Sequence, residues 1–123
     1  MNKNIIRIAK KENLQYKEIE YQNGVVAAEF EFDNYNQYSF YWSLFAKKKD
    51  LHVETYHYNF CIRVFDLHEY EEMRANSKRS IFLSDLFCLA MRDGMTAEQA
   101  KKEQENYCKL HPEYITAYNM IYA

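Results

Sequence analysis

The sequence predicts one α+β domain over residues 1–123, with an antiparallel sheet toward the N-terminus and three to four C-terminal helices packed on it. A hairpin signal at Asn23-Gly24, a β-branched and aromatic run over residues 51–65, and helix-capping signals from Asp66 onward occur in that order. Strand signals that precede helix signals favour α+β over alternating βαβ units. A length of 123 residues suits one domain, since two halves would each be too small to bury a useful core.

The hairpin is the clearest local prediction. Residues 15–21 and 25–32 flank Asn23-Gly24, a pair that accepts the positive φ required at both central positions of a tight turn. Residues 25–32 alternate between the two faces of a strand, which is expected to be half-buried. One face carries Val26, Ala28, Phe30 and Phe32, and the other carries Val25, Ala27, Glu29 and Glu31. Residues 3–13 fit either a short amphipathic helix or a first strand.

Two central segments allow alternatives. Residues 38–48 fit a helix through Phe40, Tyr41, Leu44 and Phe45, and they fit a strand through alternating Phe40, Trp42 and Leu44. Residues 51–65 fit one long strand, or a hairpin turning near Tyr58-Asn59. The loop between the first hairpin and residue 38 is polar.

The C-terminal half has four helix-start signals. Asp66 is expected to cap a helix to about residue 75, and Ser80 a second helix over residues 81–92. The second is apolar almost all round, so it is expected to be the central buried helix, ending at Gly94. Thr96 and Gln99 form a capping box for a helix to about residue 110. Pro112 then starts a last helix whose shared face is Tyr114, Ile115, Tyr118, Ile121 and Tyr122.

Composition and charge make several classes of function less favoured and exclude others. The formal charge is −2, from 16 basic and 18 acidic residues, so direct nucleic-acid binding is not favoured. No stretch approaches the roughly 20 apolar residues that span a bilayer, and no secretory signal is recognisable. Three cysteines indicate free thiols and a cytoplasmic location. Two glycines cannot build a phosphate-cradling loop or a dinucleotide fingerprint.

A metal site is one alternative. Cys108 and His111 lie one helical turn apart, which is workable for zinc. His57 and Cys61 would join them only if the chain turns between these two residues, because side chains four positions apart on a straight strand lie about 13 Å apart. The competing interpretation is that both cysteines are small core residues and no cofactor is bound.

The tyrosine-rich composition, 12 Tyr in 123 residues, points to a protein interface. Several tyrosines lie among polar residues and are expected to be exposed, and two groups of glutamates add an acidic face that can resemble nucleic acid to a basic partner. The predicted partner-binding residues are Tyr35, Tyr38, Tyr41, Tyr56, Tyr58, Glu29, Glu31, Glu69, Glu71 and Glu72.

The leading hypothesis is a small non-catalytic protein-binding protein: a phage or mobile-element inhibitor of a host defence nuclease or nucleoprotein complex. The class is small, Gly-poor and without catalytic signatures, and no membrane association is expected. Three alternatives remain. They are a nucleic-acid-binding accessory module using Lys47, Lys48 and Lys49, a small enzyme of unrecognised type using His57 or His68, and a homodimer through the C-terminal Tyr/Ile face.

Overall fold

The computed structural model describes residues 1–122 and confirms the α+β class. The elements in chain order are α1 (Lys3–Lys11), β1 (Lys17–Glu20), β2 (Val26–Glu31), α2 (Tyr35–Ala46), β3 (Leu51–Tyr56), β4 (Cys61–Asp66), α3 (Leu67–Arg92), α4 (Ala97–Leu110) and α5 (Ile115–Ile121). The chain divides into two compact units, residues 1–73 and the part from residue 74 onward, so α3 begins in the first unit and continues in the second. Within residues 1–122, none of the helices combines the length and apolarity that crossing a membrane requires.

The sheet has the strand order β1-β2-β4-β3, and every neighbouring pair is antiparallel. The register places Glu31 of β2 and Tyr56 of β3 on either side of Cys61 of β4. This row lies at one end of the sheet, which we call the turn end because the β3–β4 turn is there. At the other end of β4, Asp66 is opposite Leu51.

Both predicted turns are present. Asn23 and Gly24 have φ values of 60° and 74°, and Tyr21 N–H donates to the Val25 carbonyl at 2.7 Å, which closes the first hairpin. The second hairpin turns over His57–Asn59, and Phe60 follows with a left-handed φ of 50°. The hairpin alternative for residues 51–65 is therefore correct.

The first face of the sheet is covered by α1 and α2. The segments 3–13 and 38–48, which the sequence left open, both contain helices here, because some of their apolar side chains pack on the strands. Phe40, expected on the packed face of α2, is instead 59% exposed. Ile5 of α1 and Tyr38 and Phe45 of α2 are fully buried in one core with Phe30 of β2 and Ile62 of β4. The Phe30 and Phe45 ring centroids are 4.9 Å apart.

The second face of the sheet is covered at one end by the start of α3. Tyr70 and Met73 pack on Val25, Ala27 and Phe65. The expectation of a half-buried β2 is therefore wrong for its first half, where both Ala27 and its neighbour on the other face are fully buried. Small side chains at these positions let helices approach the sheet from both sides.

Helix α3 corrects two expectations. Asp66 caps it as predicted, accepting a hydrogen bond from Glu69 N–H at 3.1 Å. The second cap at Ser80 does not form, because the Ser80 hydroxyl donates to the Asn76 carbonyl within one continuous 26-residue helix. The predicted central buried helix is also largely exposed: Ile81 is 63% exposed, and its fully buried residue is Leu83.

The second unit is helical, and the signals that end α3 and begin α4 behave as predicted. Gly94 has a φ of 93° and ends α3, and Thr96 and Gln99 form the reciprocal capping box of α4. Pro112 was expected to start the last helix, but Pro112–Tyr114 form a 3-10 turn and α5 begins at Ile115. The Gln104 amide is buried, donates to the Leu83 carbonyl at 2.7 Å and accepts from the Tyr122 hydroxyl. A small core joins Leu83, Cys108 and Ala117 to the partly buried Tyr107, Tyr114, Tyr118 and Ile121. Most of the C-terminal Tyr/Ile face is thus packed within this unit.

Candidate partner-binding surface

Helix α2 begins beside the turn end of the sheet and presents an exposed tyrosine there. The Asn34 side chain accepts a hydrogen bond from Gln37 N–H at 2.9 Å and so fixes the start of the helix at Tyr35. The Tyr35 side chain is 56% exposed. Its ring centroid lies 6.1 Å from that of Tyr38, which is fully buried one turn later.

The β3–β4 turn is held against α2 by the same buried tyrosine. The Tyr38 hydroxyl lies 3.2 Å from Nδ1 of His57, and the two ring centroids are 5.4 Å apart. Phe60 packs against the core below the turn. Tyr58, between these anchors, is 88% exposed. We call Tyr35, His57 and Tyr58 the turn-end surface; it presents aromatic rings to solvent from a fixed backbone.

The tyrosines predicted to bind a partner fall into different environments. Tyr35 and Tyr58 are exposed as predicted, whereas Tyr38 is buried and is corrected to a structural anchor. Its polar neighbours Asn36 and Gln37 suggested exposure, but they lie on the outer side of α2. Tyr41 is half-buried, stacked on Phe32 at a centroid distance of 5.1 Å.

Tyr56 and Glu29 belong to a network centred on Arg63, a residue that was not among the predicted site residues. Arg63 Nε donates to Glu29 Oε2 at 2.9 Å, and Nη1 donates to the Tyr21 hydroxyl at 2.7 Å. The guanidinium carbon lies 5.2 Å from the centroid of the Tyr56 ring. A signal was available: Arg63 is the one basic residue in the run 51–65, and alternation puts it on the same face as Phe65.

The network holds Tyr56 in place and leaves Glu31 as the exposed carboxylate of this row. The Tyr56 hydroxyl donates to Glu54 Oε2 at 3.0 Å. Burial, together with this hydrogen bond, raises the pKa of Tyr56 to about 12. Tyr56 is half-buried and Glu31 is exposed. Glu29 is paired and mostly buried, so its charge is compensated within the molecule.

The glutamates predicted to bind a partner lie near opposite ends of the sheet. Glu31 is opposite Cys61 at the turn end, whereas Glu69, Glu71 and Glu72 follow Asp66 at the other end of β4. The six residues of β4 span about 16 Å. Glu69 and Glu71 are exposed on the first turns of α3, on either side of Tyr70, which packs inward.

The four residues predicted as zinc ligands are divided between the two units, His57 and Cys61 in the first and Cys108 and His111 in the second. Within residues 1–122, no three or more His, Cys, Asp or Glu side chains form a group that could hold a metal ion. His57 contacts Tyr38 on the face covered by α2, whereas Cys61 lies on the opposite face, beside Glu29 and Glu31. Cys108 donates to the Tyr114 carbonyl at 3.8 Å, and the His111 ring lies 4.4 Å from that of Tyr107.

The cysteine environments differ from one another. Burial, followed by the charges of Glu29 and Glu31, raises the pKa of the Cys61 thiol to about 11. Burial also raises the pKa of Cys108. Cys88 lies in the segment 81–92 that was expected to be a buried helix, and it is exposed on α3. The buried thiols are therefore protonated near neutral pH, a poor state for a nucleophile.

Comparisons with protein-family models, with curated proteins and with solved structures find no match for this chain.

Proposed function

We propose that this chain is a small non-catalytic protein-binding protein that docks onto a partner through the turn-end surface. The observation that carries the proposal is Tyr58, 88% exposed on a turn anchored through His57, with Tyr35 also exposed beside Tyr38. An exposed tyrosine on a fixed backbone gives a large contact area at a small cost in conformational entropy. Such rings are frequent among the residues that dominate binding energy.

The proposed partner is a host protein in the cytoplasm, and the proposed role is that of a phage or mobile-element inhibitor of a defence nuclease or nucleoprotein complex. Glu31 at the end of β2 and Asp33 in the loop before α2 are exposed, and they would complement a basic rim on the partner. Glu29 contributes less than expected, because Arg63 compensates its charge. Three unpaired cysteines suit a reducing compartment.

The test is a pull-down from nuclease-treated lysate of a bacterial host, comparing the native chain with Tyr35→Ala/Tyr58→Ala. This double substitution tests the surface more specifically than one that includes Tyr56, because Tyr56 also supports the Arg63 network. We expect one stoichiometric protein to be retained by the native chain and lost from the double variant. The affinity for the purified partner should fall by at least about tenfold.

The matched control is Phe40→Ala, which removes another exposed ring of α2. Phe40 is five positions from Tyr35 and so lies about 140° away around the helix. The control should bind the partner like the native chain. Equal binding by the native chain and the Tyr35/Tyr58 variant, with both folded, would rule out the turn-end surface as the docking site.

A further inference from the structure

Basic residues are concentrated in one part of the first unit, although the whole chain has a formal charge of −2. Helix α1 and the C-terminal end of α2 with the segment after it carry seven of the 16 basic residues: Lys3, Arg7, Lys10, Lys11, Lys47, Lys48 and Lys49. Residues 1–15 and 44–50 contain two acidic residues, Glu12 and Asp50. The net charge therefore conceals a local positive surface.

Helix α1 turns its basic side chains outward. Ile5, Ile8 and Ala9 are buried in the core, which fixes the inward face of the helix. Helical spacing then places Lys3, Arg7, Lys10 and Lys11 on the opposite side, and all four are exposed.

A groove between α1 and α2 collects part of this charge. Arg7, Lys11 and Lys48 line it together with Glu12, and the apolar side chains lining it are Ile8 and Leu44. The segment 47–50 is tied to the start of α1, because the Asn4 amide donates to Asp50 Oδ2 at 2.8 Å and the Asn2 amide donates to the same oxygen at 3.1 Å. These hydrogen bonds occupy one carboxylate oxygen of Asp50.

An exposed aromatic ring of α2 lies one helical turn from Leu44, which lines the groove. Phe40 lies one helical turn before Leu44, so both side chains are on the same side of α2. Phe40 is 59% exposed, and its ring makes an edge contact with Tyr41 at a centroid distance of 5.0 Å. Tyr41 in turn stacks on Phe32, so the position of the Phe40 ring is supported from below.

We propose that the α1–α2 groove binds single-stranded nucleic acid, with phosphates on Arg7, Lys11 and Lys48 and a base stacked on Phe40. A basic groove beside an exposed ring is the combination that single-strand binding requires, because phosphates need positive charge and unpaired bases need a flat apolar face. An acidic protein surface would pair with the basic side chains but would not need the exposed Phe40 ring. A duplex would also leave this ring unused, because its bases stay stacked on one another. This function goes beyond the proposed protein docking and revises the expectation from net charge.

The test measures binding of a labelled single-stranded oligonucleotide of about 12 nucleotides by fluorescence anisotropy. The native chain should bind with an affinity that falls with salt, with a slope of log K against log salt of about −2 for three phosphate contacts. The variant Arg7→Gln/Lys11→Gln/Lys48→Gln should lose at least about tenfold in affinity and most of that slope. Phe40→Ala should lose about tenfold with the slope unchanged.

The control for charge is Lys102→Gln/Lys109→Gln/Arg92→Gln, which makes the same change at exposed positions outside the groove. It should bind like the native chain. If the groove variant is poorly folded, Arg7→Gln alone replaces it, because Arg7 is exposed. Equal weakening by the control and groove variants, or no binding by the native chain, overturns the proposal.

Two further probes distinguish other polyanions. A duplex of equal length that binds as tightly as the single strand, or a polyglutamate peptide that competes equally well, would overturn single-strand binding. Tyr35→Ala/Tyr58→Ala should leave oligonucleotide affinity unchanged, and the groove variant should still capture the protein partner. Failure of one proposal is thus distinguishable from failure of the other.

Discussion

The Tyr38 hydroxyl lies 3.2 Å from Nδ1 of His57 and links the first turn of α2 to the turn between β3 and β4. The tyrosine is fully buried, whereas the histidine is exposed on its other side. The bond therefore connects the core of the first unit to the base of the turn-end surface.

Replacing Tyr38 by Phe should lower the free energy of unfolding by about 1 kcal/mol, because the ring stays buried while the hydrogen bond to His57 is lost. Chemical denaturation measures the change. Tyr41→Phe, at a half-buried position of the same helix, should change stability by less than about 0.5 kcal/mol. Equal effects of the two substitutions would show that the Tyr38–His57 bond contributes nothing specific.

Replacing Arg63 by Met should destabilise the fold by about 1–2 kcal/mol, because Glu29 loses its charged partner and Tyr21 loses a donor. The pair is partly exposed, so the effect is smaller than for a fully buried ion pair. Combining Arg63→Met with Glu29→Gln should cost less than the sum of the single changes. Strict additivity in this double-mutant cycle would argue against coupling.

The pH dependence of stability should include Asp50. Hydrogen bonds from the Asn2 and Asn4 side chains hold the pKa of Asp50 below its ordinary value of 3.8. A depressed folded-state pKa stabilises the fold above the unfolded value, and this contribution is lost as the pH falls through the folded value. In an NMR titration, Asn2→Ser should raise the pKa of Asp50 while a hydroxyl still caps α1. The control Asn36→Ala should leave the titration unchanged.

Thiol reagents should distinguish the three cysteines. Cys88 is exposed and should react quickly at neutral pH, whereas Cys61 and Cys108 should react slowly because both are buried and have raised pKa values. Mass spectrometry after brief labelling should show one modification, absent from Cys88→Ser. All three sites should react in denaturant. Rapid labelling of Cys61 in the folded protein would contradict its burial.

Features that rest on short-range chemistry were predictable from the sequence. Asn23-Gly24 adopts two positive φ values, and Thr96 with Gln99 closes a capping box, because a few neighbouring residues decide each outcome. The prediction that Ser80 caps a second helix was wrong for a related reason. A serine can cap a helix or donate to a carbonyl one turn back, and continuity of the α3 backbone selected the second option.

Features that depend on distant contacts were not predictable. The partners Arg63 and Glu29 are 34 residues apart, and they meet only when the β2–β4 register is known. Tyr38 is surrounded in sequence by polar residues, yet packing of α2 on the sheet buries it. The basic groove was not predictable for the same reason, because Arg7 comes from α1 and Lys48 from the segment after α2.

The left-handed backbone at Phe60 affects which positions of the β3–β4 turn can vary. A large side chain in this conformation costs about 1 kcal/mol or more, and burial of the ring against the core offsets that cost. Glycine at position 60 would remove the backbone strain but would also remove the packing of the ring on the core. Residue 60 is therefore constrained both by its backbone conformation and by its packing. Residue 58 is constrained by neither, since its side chain is almost entirely in solvent. Substitutions at the tip of the turn can therefore accumulate in single steps without unfolding the chain.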